Sequence, residues 1–382
     1  MTAAFLSLLK SALWKEPLAW SGRMLSHQHF LPLMQLAQEQ AVVGIVSQGL
    51  MDSGVRMGRE DALNLYALQQ AIRRQNSAMD KAVVALCKQM ADAGIRIYVM
   101  KGQTLAALYP DVGLRQSGDI DFLCHPADWE RAVSYVREEL GVTIKDHNSQ
   151  KHVEWQKDGV QYEMHRMLTD FAYPQHQRYW DEVVMAEVLD SHATVEINGY
   201  PVSVLPPTIN VLYTFVHIFY HLLIEGIGLR QFCDWAVLLA QQGEASPPTS
   251  LSRERGGSGK PQFDVETLER HLEGIGLMKA FTGLGTVLTD YLGLPEEQFP
   301  FEISDKEHRS VSKVLNNILV RGNFGHNVHY VRPRGPLHGL QHLWEMGKQS
   351  TAFYHYAPAE ALWRIPEMFR WWGKKICRRM KK

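Results

Sequence analysis

Asp119 and Asp121 stand one residue apart in the stretch Arg115-Gln-Ser-Gly-Asp-Ile-Asp-Phe-Leu123, which reads as a short strand following the strand-to-turn segment Ile97-Tyr98-Val99-Met100-Lys101-Gly102. Successive side chains of an extended chain face opposite ways, so the two aspartates share one face while Ile120 and Phe122 point the other way. Like charges on neighbouring same-face positions repel, and one of them tends to protonate unless a cation intervenes. Mg²⁺ takes hard oxygen ligands and completes its octahedral shell with phosphate oxygens, so the pair points to metal and phosphate chemistry.

Two metal ions about 4 Å apart in such sites usually need a third carboxylate, which also helps to take the proton from an attacking hydroxyl. In Val160-Gln161-Tyr162-Glu163-Met164-His165, alternation sets Gln161, Glu163 and His165 on one face, and Glu163 is the choice. Glu154 and Asp158 are the alternatives, the latter better explained as the turn residue of Asp158-Gly159. A tight turn at Gly102 with a helix from about Gln103 would aim free N–H groups and the positive helix end at a phosphate, with Lys101 as a mobile cation. Taken alone, Gly102 is read equally well as a plain strand-to-helix turn. Arg115 either neutralises phosphate charge or holds the acidic loop together by pairing with Asp119 or Asp121, and Ser117 binds a phosphate oxygen or a loop amide.

His165 either holds the acceptor or a product phosphate, or is structural. His217 and His221, at i and i+4, share a helix face; no Glu follows His217 as in H-E-x-x-H, which argues against a zinc protease. They contact a bound substrate, or else hydrogen-bond to Asp234 or Arg230.

These residues need a scaffold of two kinds. From Leu6 to about Leu86 apolar residues recur at helical spacing, and a helix through Met79–Ala93 is expected to end at Gly94. Onward, the pattern predicts strands at 95–100, 118–124, 151–156 and 160–166, helices at 103–109 and 127–139, and a second hairpin, 194–197 with 202–205, around Asn198-Gly199. Helices follow at 209–225, 229–241, 265–273, 278–292 and 307–319, the third ended by Gly274. Residues 242–262 are rich in Gly, Ser and Pro and read as a mobile loop.

At 382 residues with 45% hydrophobic and 21% charged residues, the chain is long enough to bury sizeable cores, and its net charge of −1 gives no overall attraction to nucleic acid or anionic membrane. Locally, residues 370–382 carry seven Lys or Arg beside Trp371 and Trp372, a basic tail suited to RNA or an anionic membrane surface, or simply to solvent. Cys87, Cys124, Cys233 and Cys377 form no C-x-x-C pair, so neither a zinc knuckle nor a disulfide framework is indicated and a cytoplasmic location is expected. The run Val211–Leu229 is interrupted by His217, His221 and Glu225, and no transmembrane segment is expected.

Lys101-Gly102-x-x-Leu105, Tyr109-Pro110 and Arg115-x-x-x-Asp119-Ile120-Asp121 together resemble the nucleotidyltransferases of the DNA polymerase beta superfamily, and within it the family of uncharacterised nucleotidyltransferases. Glu163-x-His165, His217 and His221, Leu229-Arg230-x-x-x-Asp234-Trp235 and Gly322-Asn323-Phe324-Gly325 extend the resemblance over roughly residues 80–330. Most members of the superfamily have Gly-Ser or Gly-Gly-Ser at the phosphate turn, where this chain has Lys101-Gly102-Gln103.

The resemblance implies an α+β fold: a polymerase-beta-like core at 81–205 with a mixed sheet, an N-terminal helical region at 1–80, and a C-terminal helical domain at 206–382. It implies transfer of NMP from an NTP with release of pyrophosphate, using two Mg²⁺ or Mn²⁺ ions on Asp119, Asp121 and Glu163. Lys101, Gly102, Gln103, Arg115 and Ser117 would hold the nucleotide phosphates, and His165, His217, His221 and Arg230 would contact substrate. The acceptor, a small molecule, a protein or RNA, is not specified, and a silent nucleotide- or RNA-binding scaffold or a metal-dependent phosphohydrolase are the alternatives.

Overall fold

The computed structural model describes residues 1–145, 151–242, 263–327, 344 and 347–366. The 243–262 segment and the basic tail lie outside them, apart from the first residue of the expected mobile loop, Gln242. Apolar residues at helical spacing form α1 (Thr2–Trp14), and a two-residue parallel pairing of β1 (Met24–Leu25) with β2 (Arg56–Met57) brackets α2 (His27–Glu39) and α3 (Val43–Asp52). The 34-residue α4 (Arg59–Asp92) carries the chain to the sheet and closes as expected with Gly94 at φ 66°.

The strand β3 (Ile97–Met100) runs into α5 (Gln103–Ala106), which is a single turn rather than the helix expected to 109. The chain then bends through Asp111, whose side chain accepts from Gly113 N, before β4 (Asp119–Cys124) and α6 (Trp129–Glu138). β5 (His152–Lys157) and β6 (Val160–His165) are joined at Asp158 and Gly159, both at positive φ, the twist a two-residue hairpin needs. Short helices α7 (Pro174–Tyr179) and α8 (Met185–Leu189) lead to the hairpin of β7 (Thr194–Ile197) and β8 (Tyr200–Ser203), turned at Asn198-Gly199 in the same way.

The remainder is helical: α9 (Pro207–Ile224), α10 (Leu229–Leu239), α11 (Val265–Gly274), α12 (Met278–Thr286) and α13 (Asp305–Arg321). α9 is apolar and 18 residues long, yet its side chains from Ile209 to Leu223 are mostly buried among the other helices. Gly274 does not end α11 as expected; it is the last helical residue, and Gly276 takes the left-handed conformation at φ 63°. A Cβ on Gly274 would lie 2.4 Å from the Tyr179 ring, so its smallness serves packing and not the cap.

Four strands form a mixed sheet in the order β3-β4-β6-β5, with β4 and β6 parallel and the outer pairs antiparallel. Val204, just after β8, bridges to Val99 and sets the second hairpin against the β3 edge. One face, with Ile120, Phe122, Tyr162, Met164 and Trp155, packs on Val83, Leu86 and Met90 of α4 and on Ala132 and Val136 of α6. Tyr98, Met100 and Leu123 on the opposite face join a larger core that contains residues of α1–α3 and of α9–α13 alike. Trp14 Nε1 donating to Leu292 O at 2.6 Å fastens the first helix to that helical assembly. The fold is therefore α+β, and one sheet face is turned toward the long helices.

Candidate active site

The register of the sheet builds the acidic cluster. Met100, Asp121, Glu163 and Glu154 pair in one row across the four strands, and Tyr98, Leu123, His165 and His152 in the next. Paired residues share a face, so Asp119, Asp121, Glu163 and His165 all lie on the side facing the helices. One donor atom each of Asp121, Glu163 and His165 lies within 4.8 Å of the others.

Lys101, between β3 and α5, has φ 53°, and Gly102 follows at φ 50° and ψ −124°, a conformation open in practice to glycine. These two residues turn the Lys101 side chain back onto Asp121, with Nζ 3.2 Å from Oδ2 and 5.7 Å from the centre of the Tyr213 ring. With only 14% of its side chain exposed, Lys101 is a fixed cation and not the mobile one expected. Burial alone would lower its pKa, but Asp121 and then Tyr213 and Asp119 raise it above the ordinary lysine value.

Burial would also raise Asp121, yet Lys101 and a hydrogen bond from His165 Nε2 at 3.0 Å hold it far below the carboxylate range. The desolvated His165 ring is in turn raised by its hydrogen bonds to Asp121 and Glu163. Asp119 goes the other way: burial first, then the charge of Asp121, pushes it up to about 6 against the pull of Lys101. One lysine thus compensates Asp121 and leaves Asp119 crowded by negative charge. A divalent cation fits that arrangement, because a cluster of mostly oxygen donors with surplus negative charge suits Mg²⁺ or Mn²⁺.

Arg115 is placed differently from either expectation. Its Nε and Nη2 pair with both oxygens of Asp234 on α10, at 2.8 and 2.6 Å, and Tyr109 OH donates to the same carboxylate at 2.6 Å. Neither Asp119 nor Asp121 is its ion-pair partner, and a buried guanidinium that must keep a counter-charge is held to the bidentate one. Arg115 Nη1 also donates to Ser117 Oγ at 2.7 Å, and that hydroxyl donates to Gln103 Oε1. Gln103 Nε2 donates to Asp80 of α4, so Gln103 and Ser117 spend their polar atoms bracing the loop before β4 rather than presenting them to a phosphate.

A cleft of about 320 Å³ opens in front of the carboxylates, lined among others by Lys101, Gly102, Asp119, Asp121, Glu163 and Arg230. Arg115, Ser117, His217 and His221 reach its wall, whereas Gln103 and His165 do not line it. Arg230 donates to Gln116 O at 3.2 Å, and burial, then the charge of Arg115, lowers its pKa. His217 and His221 are not bonded to Asp234 or Arg230 as one expectation had it: His221 Nδ1 is 2.9 Å from Glu225, and the two imidazoles meet edge to face at 4.4 Å. Burial, then Lys101, drives His217 well below the ordinary histidine value, so it is neutral at pH 7.

His152, Gln231, Asp234 and Phe324 also line the cleft and were not among the expected site residues. Asp234 and Phe324 stand inside motifs noticed in the sequence, but no spacing rule linked either to Asp119; His152 is brought in only by pairing with His165 across β5 and β6.

A family model described as uncharacterised nucleotidyltransferase matches residues 26–252. Among solved structures, the crystal structure of an antigenic nucleotidyltransferase-like protein from Paracoccidioides brasiliensis is similar, at 12% identity and a TM-score of 0.32, with 56% of this chain and 92% of that chain covered. No curated protein sequence matches.

Proposed function

Because the chain belongs to the uncharacterised nucleotidyltransferase family, we propose that it moves NMP from an NTP onto an acceptor hydroxyl or phosphate in a metal-dependent reaction. The observation that carries this reading is the Asp121–Glu163 pair, side by side in register with Asp119 on the same face, at a cleft that also holds Lys101 and Arg230. Asp119, Asp121 and Glu163 would hold two Mg²⁺ or Mn²⁺ ions, which when bound neutralise triphosphate charge and favour the developing charge on the leaving group.

The acceptor oxygen forms a bond to the α-phosphorus while the bond from that phosphorus to the bridging oxygen of the β-phosphate breaks, and pyrophosphate leaves. The acceptor proton passes to Glu163, the carboxylate with the more open side chain at 24% exposure, against 9% for Asp121. Lys101 holds Asp121 in its charged form and keeps its carboxylate oriented. Arg230 is the guanidinium available to phosphate oxygens, because Arg115 is committed to Asp234. Arg115 is then a positioning residue, fixing the loop that delivers Asp119.

The test is incubation with each α-labelled NTP and Mg²⁺ or Mn²⁺, with and without cell extract, following label and pyrophosphate. Label on a macromolecule or metabolite, lost in Asp119→Asn and Asp121→Asn, supports transfer and identifies the acceptor class as small molecule, protein or RNA. Free NMP with no labelled acceptor would replace transfer by hydrolysis, and absence of both NTP binding and pyrophosphate would leave a scaffold.

A further inference from the structure

The turn after α13 holds a phenylalanine where backbone sterics disfavour one. Gly322, Phe324 and Gly325 have φ of 67°, 52° and 68°, and a bulky residue in that region persists only when its surroundings enforce it. They do so through close approach to the loop after α9. A Cβ on Gly325 would lie 2.5 Å from Glu225 O, one on Gly226 2.8 Å from Arg321 Cβ, and one on Gly228 3.1 Å from Asn323 Cβ. Glycines on both loops thus interlock them and hold Phe324 in place. His221, fixed by Glu225, meets the Phe324 ring edge to face at 4.8 Å.

The ring of Phe324 stands at a definite place in the cleft. His217 lines the cleft together with Lys101 and Asp121. One helical turn on, about 6 Å along the axis of α9, comes His221, and Phe324 packs beyond it. The cleft wall therefore runs from carboxylates past two imidazoles to an aromatic face, the order of a nucleotide's phosphate, sugar and base.

We propose that Phe324 is the stacking platform for the base of the nucleoside triphosphate, with His221 as the positioning residue beside it. This rests on the nucleotidyl-transfer reading and adds to it the end of the cleft at which the base is held. A stacked ring recognises any flat base, so the contact favours nucleotides over bare polyphosphate without by itself choosing among bases.

The test is calorimetric titration of the full chain with Mg²⁺ and each NTP, and separately with Mg²⁺ and inorganic tripolyphosphate, for wild type, Phe324→Leu and Phe324→Trp. The expected result is NTP affinity reduced about tenfold or more in Phe324→Leu and retained in Phe324→Trp, as loss and replacement of a base–aromatic stack require, with tripolyphosphate affinity unchanged in both. NTP affinity unchanged in Phe324→Leu overturns the stacking role, including where transfer to acceptor falls, and leaves nucleotidyl transfer standing. Parallel loss of tripolyphosphate binding in that variant also overturns a base-specific role. Wild-type protein that binds neither ligand overturns the nucleotidyl-transfer reading itself, and the stacking role with it.

Discussion

Asp121 and Glu163 are register partners across the parallel β4–β6 pair, and Lys101 Nζ sits 3.2 Å from the Asp121 carboxylate on the same side of the sheet. A lysine in that position keeps the cluster folded by charge, and Asp119 remains the carboxylate whose ionisation is opposed by its neighbours.

Asp119→Asn and Asp121→Asn are each expected to abolish transfer. Mg²⁺ in about hundredfold excess over its Kd should stabilise the wild type by about 2.7 kcal/mol, and neither variant should gain as much. Thermal unfolding with and without Mg²⁺, beside the label assay, checks both statements; turnover retained in either variant would remove the metal assignment.

Arg115→Lys keeps the charge and loses the two-pronged contact with Asp234. Losing a charge-assisted hydrogen bond while the charge is kept costs about 1.5–3 kcal/mol, so urea unfolding should show a clear loss of stability. A change below about 1 kcal/mol, the scale of an exposed pair, would mean that the pair is not holding α10 to the β4 loop.

Gly102→Ala tests the strand-to-helix turn. A Cβ there would find nothing nearer than Asp119 O at 3.7 Å, so crowding is not the obstacle. The obstacle is the backbone at φ 50° and ψ −124°, and a cost of about 1–3 kcal/mol is expected. Transfer should fall as well, because the same turn aims Lys101 at Asp121; full activity with unchanged stability would show the turn to be replaceable.

Asp128, away from the cleft, supplies a pH signature of the fold. Burial would raise its pKa, but hydrogen bonds from the Arg96 side chain and backbone, then the charges of Arg96 and Arg131, lower it. A carboxylate depressed in the folded state stabilises above its unfolded value near 4 and loses that contribution as pH falls through the folded value. Asp128→Asn should therefore be less stable than wild type at pH 7 by about 1–2 kcal/mol, with the gap closing on acidification below pH 4 or so. A gap independent of pH would assign the effect to shape and not to charge.

Much of the α+β order was legible in the sequence because it is set by local chemistry. Alternation in 119–124 and 160–165 fixed which residues share a face, and Asp158-Gly159 and Asn198-Gly199 turn where their tolerance of positive φ places them. Helix periodicity located α9 and α10, and the Asp119-Ile-Asp121 spacing alone put two carboxylates together. Which distant groups meet was decided by tertiary structure. Arg115 could have answered any nearby acid, and only the packing of α10 against the β4 loop made Asp234 the carboxylate it reaches. Gln103 and Ser117 were drawn into bracing that loop for the same reason, since buried polar atoms must find partners and the nearest ones were Asp80 and Arg115. Phe324 entered the cleft because glycines far apart in sequence let two loops interlock, a contact that no periodicity or short motif encodes.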